Sequence, residues 1–186
     1  MPKIIDEEKI FVTVIKMLVS HGYEGATTKE IAEVAGVNEA TLFRKYGSKA
    51  ELFEKAINRQ FSDTPLNVLV CTDNLENDLL TIVKAYMETN ALHGEVIPAL
   101  LAALPRHPEL KGAINVAWGN IQIMVRIIQQ HQAEGQLREE SPFVCLNTLV
   151  GPLMTDQMFR RANLDFPIPD ISPEKYVEAF LHGRKL

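Results

Sequence analysis

Arg44, Lys45 and Lys49 fall within six residues, in the stretch FRKYGSK. Three cations so close together suit one task, the neutralisation of phosphate. Lys49 follows Ser48 at the opening of a predicted helix, where backbone N–H groups already attract anions, so the ammonium and the helix end can share one phosphate. The whole chain carries a formal charge of −5, which excludes coating a polyanion by bulk charge and leaves the task to the local cluster. Bond-making chemistry has no comparable set of residues. The five histidines, His21, His93, His107, His131 and His182, are scattered, and His93-Gly94-Glu95, the nearest thing to a metal or acid/base pair, lies at a helix boundary. Without a Gly-rich phosphate loop, a nucleophile elbow or an HExxH sequence, no catalytic residue, cofactor or metal ligand is expected. Cys71 and Cys145 have neither CxxC nor Cys/His ligand spacing and sit in apolar surroundings. That pattern reads as two buried thiols in a reducing compartment.

The elements that must position the cluster are helices. At 186 residues and 46% apolar composition, the chain is long enough to bury a substantial core. Over residues 5–21, Phe11, Val14, Ile15 and Leu18 keep the spacing of one helical face, with Gly22 as the stop. Thr27 with Glu30, and Ser48 with Glu51, have the spacing of capping boxes and mark two helix starts. Between them Gly36 permits a sharp turn and Asn38 is a good N-cap for a short helix. Leu75, Leu79, Ile82, Val83 and Tyr86 form a later stripe, and Pro105 closes a short helix before Pro108 opens a long one running to about Gly135. Ser141-Pro142 and Ser172-Pro173 open two last helices, the former interrupted by Gly151-Pro152. About nine helices are expected in an all-α chain, with a helix-turn-helix domain over residues 1–50 and a larger helical domain over 51–186.

A helix-turn-helix needs a small residue where its helices touch, a glycine in the turn and apolar residues that make the second helix stand out. Ala32, Gly36, Val37 and Leu42 meet those demands in order. With the helix-one pattern ending in HGY, then ATTKEIAEVAGV and TLFRKYGSKAEL, residues 4–61 resemble the N-terminal DNA-binding domain of the TetR family of transcriptional regulators. The resemblance covers about a third of the chain. It implies that Thr28 and Lys49 touch phosphates, that Asn38, Glu39, Ala40, Thr41 and Arg44 present the reading surface, and that Tyr46 packs the helix end. Phe43 stands where the family often has Tyr, so it lacks a hydroxyl for phosphate and Arg44 or Lys45 must substitute. Glu39 has two readings: it accepts from a cytosine amino group, or it weakens nonspecific binding.

The rest of such a protein must supply a second reading head and something to sense. The resemblance implies a homodimer on an inverted-repeat operator in double-stranded DNA, with the last two long helices pairing with those of a twin. The expected interface residues are Cys145, Leu149, Tyr176 and Phe180. The alternative is that both helices complete the core of one chain. Trp118, bordered by Gln122 on the long helix, with Met87, Leu104, Met154 and Met158, suggests a pocket for a small, mostly apolar effector. The function implied is a ligand-responsive repressor; the alternative is a DNA-anchored module whose larger domain binds a protein partner. No apolar run approaches the length that spans a bilayer, and the N-terminus lacks a signal-peptide pattern, so a cytoplasmic protein without membrane contact is expected.

Overall fold

The computed structural model describes residues 6–163, 167 and 169–182. Within them are nine α-helices: α1 Glu7–Gly25, α2 Thr28–Ala35, α3 Glu39–Tyr46, α4 Lys49–Phe61, α5 Leu75–His93, α6 Val96–Ala103, α7 Asn115–Ala133, α8 Pro142–Arg161 and α9 Pro173–Leu181, with 3₁₀ segments at Pro65–Val68 and Pro108–Ile114. The protein is all-α, as its periodicity predicts. The first residue of the predicted opening helix, residue 5, lies outside the described residues. Gly22 sits inside α1 at φ 68°, ψ 173°, a conformation that a Cβ makes costly, so the predicted stop survives as a break before one further turn.

The helices sort into two compact units. The first comprises the chain through Asp63 together with Glu95–Trp118; the second comprises Thr64–Gly94 and the chain from Gly119 onward. The core of the first unit joins Ile10, Val14 and Leu18 of α1, Ile31 of α2, Leu42 of α3, Leu52, Phe53 and Ile57 of α4, and Leu100 of α6. Phe53 is fully buried and meets Tyr23 edge-on at 4.9 Å, a burial worth about 1.5–3 kcal/mol from area alone. A boundary at residue 50 therefore separates α4 from side chains with which it shares a core. The capping residue Ser48 signals where that helix starts, which is a different matter from where its apolar face is buried.

The long helix predicted from Pro108 also differs. Residues Pro108–Ile114 are 3₁₀ and the α-helix begins at Asn115. In an α-helix the carbonyl of Gly112 would bond the amide of Val116. Instead the Asn58 side chain takes both groups: its Nδ2 donates to Gly112 O at 3.0 Å and its Oδ1 accepts from Val116 N at 3.2 Å. One amide from α4 thus substitutes for a rung of the helical ladder.

In the second unit, Leu79, Ile82 and Val83 of α5, Met124, Ile127 and Ile128 of α7, Cys145, Leu146, Leu149 and Leu153 of α8, and Val177, Phe180 and Leu181 of α9 make one apolar cluster. α8 runs through Pro152 and buries one face only. Val144, Met154 and Met158 are exposed, on the side of α8 opposite its four buried residues.

Candidate nucleic-acid interface

α3 is held by two residues four apart, Leu42 and Tyr46, each 2% exposed. That spacing pins one helical face and leaves the other outward. Ala40, Phe43, Arg44 and Lys45 are exposed, and Glu39 and Thr41 are half-buried. The turn into α3 is built by Gly36 in the left-handed region at φ 75°, ψ 31°, with the Val37 amide donating to Ala32 O at 2.9 Å. Asn38 caps α3 by accepting from the Ala40 amide at 2.8 Å. Thr27 and Glu30 complete the reciprocal capping box on α2. Ser48 accepts from the Glu51 amide at 3.1 Å, but Glu51 answers the Ser48 hydroxyl rather than its backbone amide.

The polar groups on this face are partly occupied by one another. Thr28 Oγ1 donates to Glu39 Oε1 at 2.6 Å, tying α2 to α3, so any phosphate that takes the Thr28 hydroxyl must displace a carboxylate. Lys45 Nζ lies 3.0 Å from Glu7 Oε1, the same oxygen that accepts from the Tyr46 hydroxyl at 3.0 Å. The hydrogen bond from Lys45 holds the Glu7 carboxyl below its ordinary range, against a smaller opposing effect of burial. Burial, followed by the Glu7 contact, pushes the Tyr46 phenol well up.

Lys49 is tethered as well. Its ammonium donates to the Tyr23 carbonyl and stands 4.3 Å from the Tyr23 ring centroid. Burial lowers its pKa, with Glu24 opposing. Lys49 therefore packs α4 against the end of α1. Arg44 is exposed on α3 and is the α3 cation without such a tether among the described contacts. Sequence reasoning missed Glu7 and Tyr23, the residues that hold Lys45 and Lys49. Glu7 lies 39 residues before Tyr46 and Tyr23 lies 26 before Lys49, too far apart for a spacing rule to link.

The expected effector residues are divided between the two units, Leu104 and Trp118 in the first and Met87, Gln122, Met154 and Met158 in the second. Trp118 is 45% exposed, Met154 41% and Met158 48%; Gln122 is exposed, and Met87 and Leu104 are half-buried. A cleft of about 350 Å³ in the second unit is lined instead by residues that include Val68, Leu69, Thr72, Asp78 and Ala85, none of them among the expected effector contacts. The four expected interface residues lie in the second unit. Cys145, Leu149 and Phe180 are buried in their own chain's core, and Tyr176 is half-buried with its hydroxyl donating to Leu149 O at 2.6 Å. These side chains pack within the second unit of their own chain. Apolar periodicity reveals that a face is covered without saying what covers it. Neither cysteine forms a disulfide among the described residues.

Residues 11–56 match the family of bacterial regulatory proteins described as the tetR family. An uncharacterised HTH-type transcriptional regulator of Bacillus subtilis, YvkB, is 40% identical over 82 residues, which are 44% of this chain and 43% of that protein. The chain thus spans less than half the length of that relative. The nucleoid occlusion factor SlmA of Haemophilus ducreyi is 27% identical over 157 residues, 80% of this chain and 75% of that one. The structure of NalD, the secondary repressor of the MexAB-OprM multidrug efflux pump in Pseudomonas aeruginosa, superposes with a TM-score of 0.64 at 20% identity, covering 96% of this chain and 95% of NalD. At that identity the likeness speaks for the fold. The anchored α2–turn–α3 pair thus lies within the residues that match the tetR family's domain, and the fold is shared with NalD along nearly the whole chain.

Proposed function

We propose that the protein is a DNA-binding transcriptional regulator, a ligand-responsive repressor that grips an inverted-repeat operator as a homodimer, with α3 as the reading helix. The observation that carries this reading is the two-point anchoring of α3. Leu42 and Tyr46 are sunk in the core while Ala40, Phe43 and Arg44 stand outward, the arrangement that a helix needs to enter a major groove. Arg44 is the base-reading cation. Lys45 and Thr28 reach phosphate by exchanging their carboxylate partners, Glu7 and Glu39, for it, and Lys49 acts by positioning the start of α4. Two such heads read half-sites about 34–36 Å apart or a multiple of that. The outward face of α8, with Val144, Met154 and Met158, supplies the apolar surface for a twin.

Selection of duplexes from a random pool tests the reading. The full chain enriches an inverted repeat, and Arg44→Ala relaxes the preference at defined positions by about 1–3 kcal/mol. A pool that yields no enriched repeat refutes it. The second reading, a DNA-anchored module with a protein partner, is favoured by one observation: Val144, Met154 and Met158 on α8 are exposed, as a docking surface requires. A small molecule that releases the operator decides for the sensor.

A further inference from the structure

Three residues that share no sequence motif meet in the second unit. Cys71 lies in the segment before α5, Asp78 in the first turns of α5 and His131 near the end of α7. One ligand-capable atom from each lies within 4.8 Å of the others. His131 is fully buried and Asp78 is 3% exposed, while Cys71 is partly accessible. The cleft described above reaches this cluster through Thr72 and Asp78.

The surroundings orient all three. Asp78 Oδ1 accepts from the Thr72 hydroxyl and Oδ2 from the Thr72 amide, both at 2.7 Å, and His131 Nε2 sits 2.9 Å from the same Oδ2. On the far side of the ring, His131 Nδ1 faces Gln136 Oε1 at 3.2 Å. Gln136 is turned this way because its Nε2 donates to Glu134 Oε2 at 3.2 Å and Asp73 O at 3.4 Å. A carbonyl on the second ring nitrogen is the partner that fixes a metal-ligating histidine. Cys71 Sγ is 3.7 Å from His131 Nε2. Bonds of about 2.3 Å to sulfur and about 2.0 Å to nitrogen at a tetrahedral angle place those atoms about 3.5 Å apart.

We propose that Cys71 Sγ, His131 Nε2 and a carboxylate oxygen of Asp78 form a three-ligand site for a thiophilic divalent cation, zinc being the one whose preferences they match. A thiolate, an imidazole and a carboxylate are the donor types that a borderline cation accepts together, and the cleft offers the fourth position to water. Binding displaces the thiol proton of Cys71 and turns the lone pair of His131 Nε2 to the ion, in the tautomer whose Nδ1–H donates to Gln136 Oε1. The thiolate and carboxylate then balance the two positive charges. The nitrogen and carboxylate oxygen, now at hydrogen-bond distance, open by a few tenths of an ångström to admit the ion. A thiol must shed its proton to bind the ion, so affinity rises with pH.

Titrating the reduced, chelator-treated full chain with Co²⁺ tests the site. One equivalent produces a near-ultraviolet thiolate-to-cobalt charge-transfer band that Zn²⁺ abolishes by displacement. Cys71→Ser removes the band and weakens binding by more than ~100-fold, Gln136→Ala weakens it by ~10-fold, and Cys145→Ser changes neither. Absence of the band from the wild-type chain at micromolar Co²⁺, or its persistence in Cys71→Ser, overturns the proposal.

Discussion

The two units differ in what they bury. Among the described residues the buried polar ones are Thr13, Thr64, Asp78, Thr89, Asn90, Asn120 and His131, and of these only Thr13 belongs to the first unit. The first core is sealed by apolar side chains, and its polar side chains work at helix ends. The second holds a buried acid and base together with an amide network in which Asn67 Nδ2 donates to Asn120 Oδ1 at 2.9 Å. An apolar core is indifferent to pH and to ions, whereas a polar one is sensitive to both. The reading head is thus built to be constant and the second unit to be adjustable.

Breaking the acid/base pair tests that contrast hardest. Asp78→Ala leaves His131 buried without its carboxylate and costs about 3–5 kcal/mol, read as a lower urea midpoint for the second unit. Phe53→Ala costs a similar ~3–5 kcal/mol in the first unit, but its cost does not change with pH. The Asp78 cost does. Burial pushes the Asp78 carboxyl up, but the Thr72 and His131 hydrogen bonds outweigh it and the net shift is downward. A carboxylate depressed in the folded state stabilises fully above its unfolded pKa of about 3.9 and loses that contribution as pH falls through the lower folded value. Wild type and Asp78→Ala therefore converge in acid, while wild type and Phe53→Ala stay apart.

Asn58→Ala comes next, at about 1–3 kcal/mol, because the Gly112 carbonyl and the Val116 amide lose their shared partner. Faster amide exchange at Val116 checks it. Removing a cap, Asn38→Ala, costs about 1 kcal/mol and frays α3 first. These two separate a long-range polar contact from a local one within the same unit.

That separation also explains what the sequence makes legible. Thr27 with Glu30, Gly36 and Asn38 act within a few residues of themselves, and their roles could be read in advance. So could the face of α3, since Leu42 and Tyr46 are one turn apart. The shortened α7 could not, because its cause, Asn58, lies more than fifty residues upstream. Nor could the tether on Lys49, or the meeting of Cys71, Asp78 and His131. For Cys145, Leu149 and Phe180 the pattern reported burial correctly and was silent on which molecule does the burying.

The smallest effects on stability fall on the reading face, where Arg44 and Lys49 part company. Arg44 is exposed and its replacement by alanine leaves stability within about 0.5 kcal/mol, while changing which bases are preferred. Lys49 is half-buried against Tyr23 and Phe53, with its ammonium over both rings at 4.3 and 5.7 Å, and a cation so placed contributes about 0.5–2 kcal/mol. Lys49→Ala therefore lowers the melting midpoint and weakens binding to every duplex alike. If Lys49 touched phosphate directly, the slope of log affinity against log salt would fall by about one unit; as a positioning residue it leaves the slope unchanged. Lys49→Met keeps the apolar contact with Tyr23 and Phe53, so it recovers much of the stability lost in Lys49→Ala. A salt slope reduced equally in the Ala and Met variants, with the melting midpoint unmoved in both, would return Lys49 to the phosphate backbone.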